Sequence, residues 1–230
     1  MTQDEAKLEA ARAALAELPE AGVVGLGSGS TAKLFIDEVG ALVKSGRKLC
    51  GVPTSEGSRR QAEALGIPLL PDDGPWAIDV TVDGADEVSD ALDLIKGGGA
   101  AHTREKIVNY ASKQNVIIVD GSKLSRLLGE KWAIPVEVLS FAHPMTASHL
   151  ARLGAPTLRK KDGALVRTDA GNVIYDVRVP PFESPAAMDR ALRDIPGVVE
   201  TGLFVGRCDL LIVASADGVR RLRRLEPARR

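Results

Sequence analysis

Apolar positions along this chain follow two alternating periods. Leu8, Ala11, Leu15 and Leu18 recur at helical spacing with charges between them, and Pro19 closes the segment. Gly22-Val23-Val24-Gly25-Leu26 is a short continuous apolar run that predicts a buried strand. Phe35, Ile36, Val39, Leu42 and Val43 then return to helical spacing. The alternation continues with a strand over Lys48 to Val52, a helix over Gly57 to Leu65, and β-branched strands over Ile78 to Val82 and Val116 to Val119. Between the last two, Thr103 is the expected cap of a helix carrying Ile107, Val108 and Ala111, which puts Glu105 in its first turn. Strand and helix in strict alternation are the pattern of a parallel, doubly wound α/β sheet.

From about Trp132 the order changes. Strands are expected over Ala133 to Leu139, Thr157 to Arg159, Val173 to Val177 and Val198 to Thr201, with helices over Pro144 to Leu153 and Pro185 to Arg193. Strand, helix, strand, strand, helix, strand is the split βαβ order of a small α+β sandwich. Turn chemistry at Lys161-Asp162-Gly163 and Asp169-Ala170-Gly171-Asn172 fits it. Asp209 to Ala214 regains a buried-strand composition and is expected to rejoin the first sheet. The smaller domain, residues 132–207, is thus an insertion into a Rossmann-like domain of residues 1–131 plus 208–230. Six arginines from Val219 onward read as a solvated helix or frayed end.

Composition narrows the function classes. A chain of 230 residues with 44% hydrophobic and 27% charged residues can bury a real core, and 3% aromatic content makes that core aliphatic. A formal net charge of -1 gives no global attraction to nucleic acid or to an acidic membrane, so any anion site has to be local. No stretch has the length of a membrane span and the start lacks the apolar run of a signal peptide, so a cytoplasmic protein is expected. Cys50 and Cys208 form no Cys-x-x-Cys. His102, His143 and His149 lack metal-ligand spacing, and no metal site is expected.

The chemistry concentrates at strand ends. Asp83-Gly84-Ala85-Asp86-Glu87 follows the Ile78 strand, Lys96-Gly97-Gly98-Gly99 comes shortly after, and Glu105 next. Three carboxylates and a lysine interleaved with glycines, which let a ligand reach the backbone, form a site composition. Earlier, Gly27-Ser28-Gly29-Ser30-Thr31 lies between a strand and a helix, where backbone N–H groups and the helix dipole suit a phosphate. The loop matches neither a dinucleotide fingerprint, because Ser30 stands where the last glycine belongs, nor a P-loop. Its hydroxyls suggest a phosphomonoester held by N–H and O–H donors.

Taken together, these motifs resemble the ribose-5-phosphate isomerase A family. Besides the three stretches above, the resemblance runs through Ala100-Ala101, Thr103-Arg104-Glu105-Lys106-Ile107, Ser122-Lys123, Pro135-Val136-Glu137-Val138, Ile195-Pro196-Gly197-Val198-Val199 and Gly202-Leu203-Phe204. It implies a cytosolic enzyme without metal or cofactor that interconverts ribose 5-phosphate and ribulose 5-phosphate in the non-oxidative pentose phosphate pathway. It further implies a doubly wound domain with an inserted ferredoxin-like domain, assembled as a dimer or tetramer.

The resemblance assigns proton transfer to Glu105 and oxyanion stabilisation to Lys96, with backbone N–H groups of Gly97, Gly98 and Gly99 as further donors. A helix N-terminus favours an ionised Glu105 whereas enclosure favours a more basic one. Asp83 or Asp86 would open the sugar ring and hold hydroxyls, Asp83 being the first choice, with Gly84 and Ala85 lining the substrate. The phosphate would lie on Ser28, Gly29, Ser30 and Thr31 with Lys123 as counter-charge. Two rivals differ in class. A sugar-phosphate deaminase or lactonase would lean on a histidine relay, for which His102 is the one nearby candidate. A non-enzymatic sugar-phosphate sensor would need the phosphate loop but not Glu105.

Overall fold

Runs of Val, Ile and Leu build a six-stranded sheet in the computed structural model, which describes residues 1–224. From one edge its strands are Gly218–Arg223, Leu210–Ser215, Ser112–Asp120, Ile78–Asp83, Ala21–Leu26 and Lys48–Pro53. All neighbours pair in parallel except the Gly218–Arg223 hairpin arm. On one face Val24, Leu26, Val80, Val82, Val116 and Ile118 pack under Phe35, Ile36 and Val39 of the helix Ser30–Lys44 and under the alanines of the helix Gln3–Ala14. Ile78, Val52 and Val108 join a second apolar cluster with Trp76. The first helix starts with a capping box between Thr2 and Glu5.

The chain runs outward from Ala21–Leu26 to Lys48–Pro53 and then returns to the other side of the first strand as Ile78–Asp83. Strand order therefore reverses between Ala21–Leu26 and Ile78–Asp83. At such a switch point the carboxyl ends of two neighbouring strands open to a ligand.

This sheet belongs to one of two compact units, made of residues 1–85, 104–123 and 206 onward; the other holds residues 86–103 and 124–205. In the second unit the strands Val198–Thr201, Ile134–Val138, Val173–Arg178 and Ala155–Leu158 form an antiparallel sheet in that order. With the helices His143–Leu150 and Pro185–Arg193 they complete the expected ferredoxin-like arrangement. Its core contains Ile134, Val136, Val138, Leu150, Val177 and Leu192.

The division differs from the one read along the sequence (1–131 plus 208–230, and 132–207) in where residues 86–103 and 124–131 go. Glu87–Val88, Leu94–Ile95 and Leu203–Phe204 form a small antiparallel sheet, and the Lys96 N–H donates to the Gly202 carbonyl at 2.9 Å. The buried Glu87 carboxylate accepts from the backbone N–H groups of Gly129, Lys131 and Trp132 at 2.9–3.2 Å, which ties in the second segment. Glu87 is thus a structural member of the acidic motif.

The arginine-rich end is also corrected. Gly218–Arg223 is an antiparallel edge strand, not a solvated helix. Gly218, at φ +105°, completes the turn that Asp217-Gly218 signals, and Arg221 and Arg223 reach back to the Ala13 carbonyl and to Glu17. Residues 225–230, which include Arg229 and Arg230, lie outside the described residues. Among those described, no helix is long and apolar enough to cross a membrane.

Candidate functional site

In the first unit the strand Ala21–Leu26 delivers Gly27 to Thr31 to the start of the helix Ser30–Lys44. Gly29 is its N-cap at φ +95°, with no side-chain cap hydrogen bond, and Gly29 and Ser30 are exposed. A helix start capped only by glycine leaves its first N–H groups for an anion.

Asp83 ends the neighbouring strand, is only 3% exposed, and fixes this loop. Its Oδ1 accepts the backbone N–H groups of Ser28 at 2.9 Å and Gly84 at 2.8 Å. A Cβ on Gly27 would collide with Asp83, so glycine is required for this close approach. The Ser28 hydroxyl points the other way, to Thr54 and Ser55 at 2.8 Å each and Ser58 at 3.2 Å.

Lys123 closes the short turn Gly121–Lys123 after the strand Ser112–Asp120, on the same carboxyl edge as Asp83. Burial pushes the Asp120 carboxyl up. Hydrogen bonds from the Ser122 hydroxyl and N–H, with smaller help from Gln3 and Lys123, outweigh that and hold it below its ordinary value.

Glu105 lies in the first turn of the helix His102–Tyr110 and is 4% exposed. Next to it Arg104 donates to Glu56 at 2.8 Å, and that bond is the main reason the Glu56 carboxyl sits below its usual range. At the helix end Arg207 donates to the side chain and carbonyl of Asn109 and stacks 3.8 Å over the Tyr110 ring. Thr103 is not the expected cap. The helix begins one residue earlier, and the Thr103 hydroxyl donates to the buried Glu137, which also accepts from Thr168 and Asn172 at 2.8 Å.

The second unit carries the lysine loop. Lys96 is 3% exposed, with its ammonium 5.5 Å from the centre of the Phe204 ring. The half-buried Asp86 accepts the Gly98 N–H on Oδ2 at 2.7 Å, and a Cβ on Gly98 would come within 2.7 Å of Oδ1. Gly97, at φ +108°, opens a turn closed by the Ala100 N–H. Arg159, ion-paired through both carboxylate oxygens with Asp176, donates to the Gly97 and Gly98 carbonyls at 2.6 and 3.3 Å. This clamp is bidentate and rigid.

His102 is fully buried and its Nε2 meets the Glu200 carbonyl at 3.3 Å. Among the described residues, no group of three or more His, Cys, Asp or Glu is placed to hold a metal ion.

Sequence reasoning missed Thr54, Ser58, Arg159 and Asp176, and gave Glu137 no role of its own. Ser55 and Ser58 carried a legible signal, since the Ser55 hydroxyl caps the helix Glu56–Ala64 by accepting from the Ser58 N–H. Arg159 carried none, being a lone arginine 62 residues from the carbonyl it binds.

Known proteins resemble this chain over nearly its whole length. The family model for ribose 5-phosphate isomerase A (phosphoriboisomerase A) matches residues 50–218. The ribose-5-phosphate isomerase A of Synechococcus sp. is 46% identical over 220 residues, covering 93% of this chain and 94% of that one, and that of Caulobacter sp. is also 46% identical, over 96% and 99%. The solved ribose 5-phosphate isomerase A of Methanocaldococcus jannaschii superposes with a TM-score of 0.91 at 38% identity, covering 96% of this chain and all of that one. A D-ribose-5-phosphate isomerase solved in complex with phospho-erythronic acid reaches 0.94 at 39% identity, over 97% and 100%. This chain belongs to the ribose-5-phosphate isomerase A family.

Proposed function

We propose that this chain is an aldose–ketose isomerase that interconverts D-ribose 5-phosphate and D-ribulose 5-phosphate through an enediolate. The observation that carries the proposal is the near-full-length match to isomerases, one of them solved with a phosphorylated sugar acid. Such an acid carries a phosphate at one end and a two-oxygen anion at the other, as the enediolate does.

Each chemical demand has a residue. Glu105 takes the proton from C2 and returns it to C1, a role worth about 10²–10⁴ in rate. Lys96, with the N–H groups of the glycine loop, stabilises the oxyanion that forms between the two steps. Asp83 and Asp86 serve ring opening and hold hydroxyls, each oriented through a backbone N–H. The phosphate lies on the N–H groups of Gly29 to Thr31 and the hydroxyls of Ser30 and Thr31, with Lys123 as counter-charge, while the Ser28 N–H stays on Asp83. Gly84 and Ala85, with no side chain larger than a methyl, leave room for the sugar. The reaction belongs to the non-oxidative pentose phosphate pathway, and we assign the protein to the cytoplasm as a dimer or tetramer.

The test is direct. Purified protein is treated with a chelator and given ribose 5-phosphate, and ribulose 5-phosphate is followed. Turnover is expected to continue after chelation, and no turnover with or without metal would overturn the reading.

A further inference from the structure

The Ser28 hydroxyl looked, from sequence alone, like a donor for the phosphate, but its surroundings say otherwise. Four hydroxyls meet here: Ser28, Thr54, Ser55 and Ser58. Thr54 donates to the Leu26 carbonyl at 3.0 Å and Ser58 to the Gly27 carbonyl at 2.7 Å, the two residues that lead into the anion loop. Those two protons are spoken for.

Ser55 stands 2.9 Å from Ser58, whose proton is on Gly27, so Ser55 donates in that pair. Ser28 then places its own proton on Ser55 or Thr54, each 2.8 Å away. All four protons are consumed inside the cluster or on the loop's own carbonyls. Thr54 is fully buried and Ser58 is 4% exposed, so water does not replace these bonds.

We infer that Thr54 and Ser58 are positioning residues for phosphate binding: they hold Leu26, Gly27 and Ser28 from behind, so that the loop offers its N–H groups, and not the Ser28 hydroxyl, to the anion. With Asp83 holding the Ser28 N–H from the neighbouring strand, the loop is braced on two sides. The inference rests on the isomerase reading for the identity of the anion, but the bracing is tested by phosphate itself.

Thr54→Val keeps the shape and removes the hydroxyl, whereas Thr54→Ser keeps the hydroxyl. Binding of inorganic phosphate is measured by calorimetry, and kcat and KM with ribose 5-phosphate. Thr54→Val and Ser58→Ala are expected to weaken phosphate binding and raise KM by about tenfold, the scale of one or two lost hydrogen bonds, with kcat within about twofold. Thr54→Ser is expected to restore both values. Unchanged phosphate affinity in the first two variants, or a fall in kcat at constant affinity, overturns the inference. If both variants fail to fold by circular dichroism, Ser55→Ala, which removes a cluster hydroxyl that lies outside the anion loop, decides by the same criterion. Weakened phosphate binding in a protein whose wild type never turns over ribose 5-phosphate supports the bracing and sinks the isomerase reading instead.

Discussion

The two glycine-rich loops are held in opposite ways, which matches the two roles proposed for them. Gly27 to Thr31 bears no charged side chain; it is braced by neutral hydroxyls and one carboxylate, and presents a helix start. Lys96 to Gly99 contains a lysine that is almost fully buried against an aromatic ring, and its carbonyls are held by a full ion pair, Arg159 with Asp176. A phosphate distant from the reacting carbons needs only steady binding, which uniform dipoles provide. A transient oxyanion needs a charge whose position is fixed before the reaction begins, and charge is fixed only where other charges and close packing hold it.

Variants can break this contrast, and the largest effect belongs to Glu105, the proposed proton carrier. Glu105→Gln is expected to lower kcat by at least about 10³ while KM stays within a few-fold, because base and positioning effects are each worth a hundredfold or more. Steady-state kinetics with ribose 5-phosphate checks it. Lys96→Ala follows, with kcat down about 10²–10³ and KM changed far less, as for a donor that acts in the transition state. The reverse split would make Lys96 a ground-state binder.

Arg159→Ala is the sharper test of the comparison. Arg159 acts through the Gly97 and Gly98 carbonyls, so its loss is expected to lower kcat about tenfold and to leave inorganic phosphate affinity unchanged. The hydroxyl-brace variants are expected to do the opposite. A loss of phosphate affinity in Arg159→Ala would show that the two loops are not separately tuned.

The smallest effect is on stability against acid. The Asp79 carboxyl is held below its ordinary value of 3.8 chiefly by the hydrogen bond from Lys113 at 2.7 Å and then by the Val23 N–H at 2.9 Å. A depressed carboxylate stabilises the fold fully above its ordinary value, and this contribution is lost as the pH falls through the lower folded value. Asp120 acts with the same sign. Melting curves should therefore fall below about pH 4, and Asp79→Asn should flatten that fall by about a degree in Tm. An equal fall in variant and wild type would remove Asp79 from the account.

Sequence legibility follows the range of the interactions. The parallel strands were readable because Val116 to Val119 are buried on both faces, which leaves a continuous apolar run, and because Ile78, Val80 and Val82 beside them are buried and β-branched. The Asp83, Lys96 and Glu105 motifs were readable because glycines and charges share short stretches. Pairing of Leu94–Ile95 with Leu203–Phe204 was not, since two-residue strands show no period and their partner lies more than a hundred residues away. Arginines concealed the last strand, which sits at a sheet edge where charge is tolerated on both faces. The role of the Ser28 hydroxyl is not legible, because a sequence shows a hydroxyl but not where its proton goes.

Deuterium provides the most direct test of the central claim, that Glu105 moves a proton between neighbouring sugar carbons. Ribose 5-phosphate is incubated with the enzyme in heavy water and followed by proton nuclear magnetic resonance. The account predicts that solvent deuterium enters the C1 position of ribulose 5-phosphate with the wild type, and that Glu105→Gln abolishes both exchange and product. Product formed at the wild-type rate by Glu105→Gln, with deuterium still entering, would contradict it.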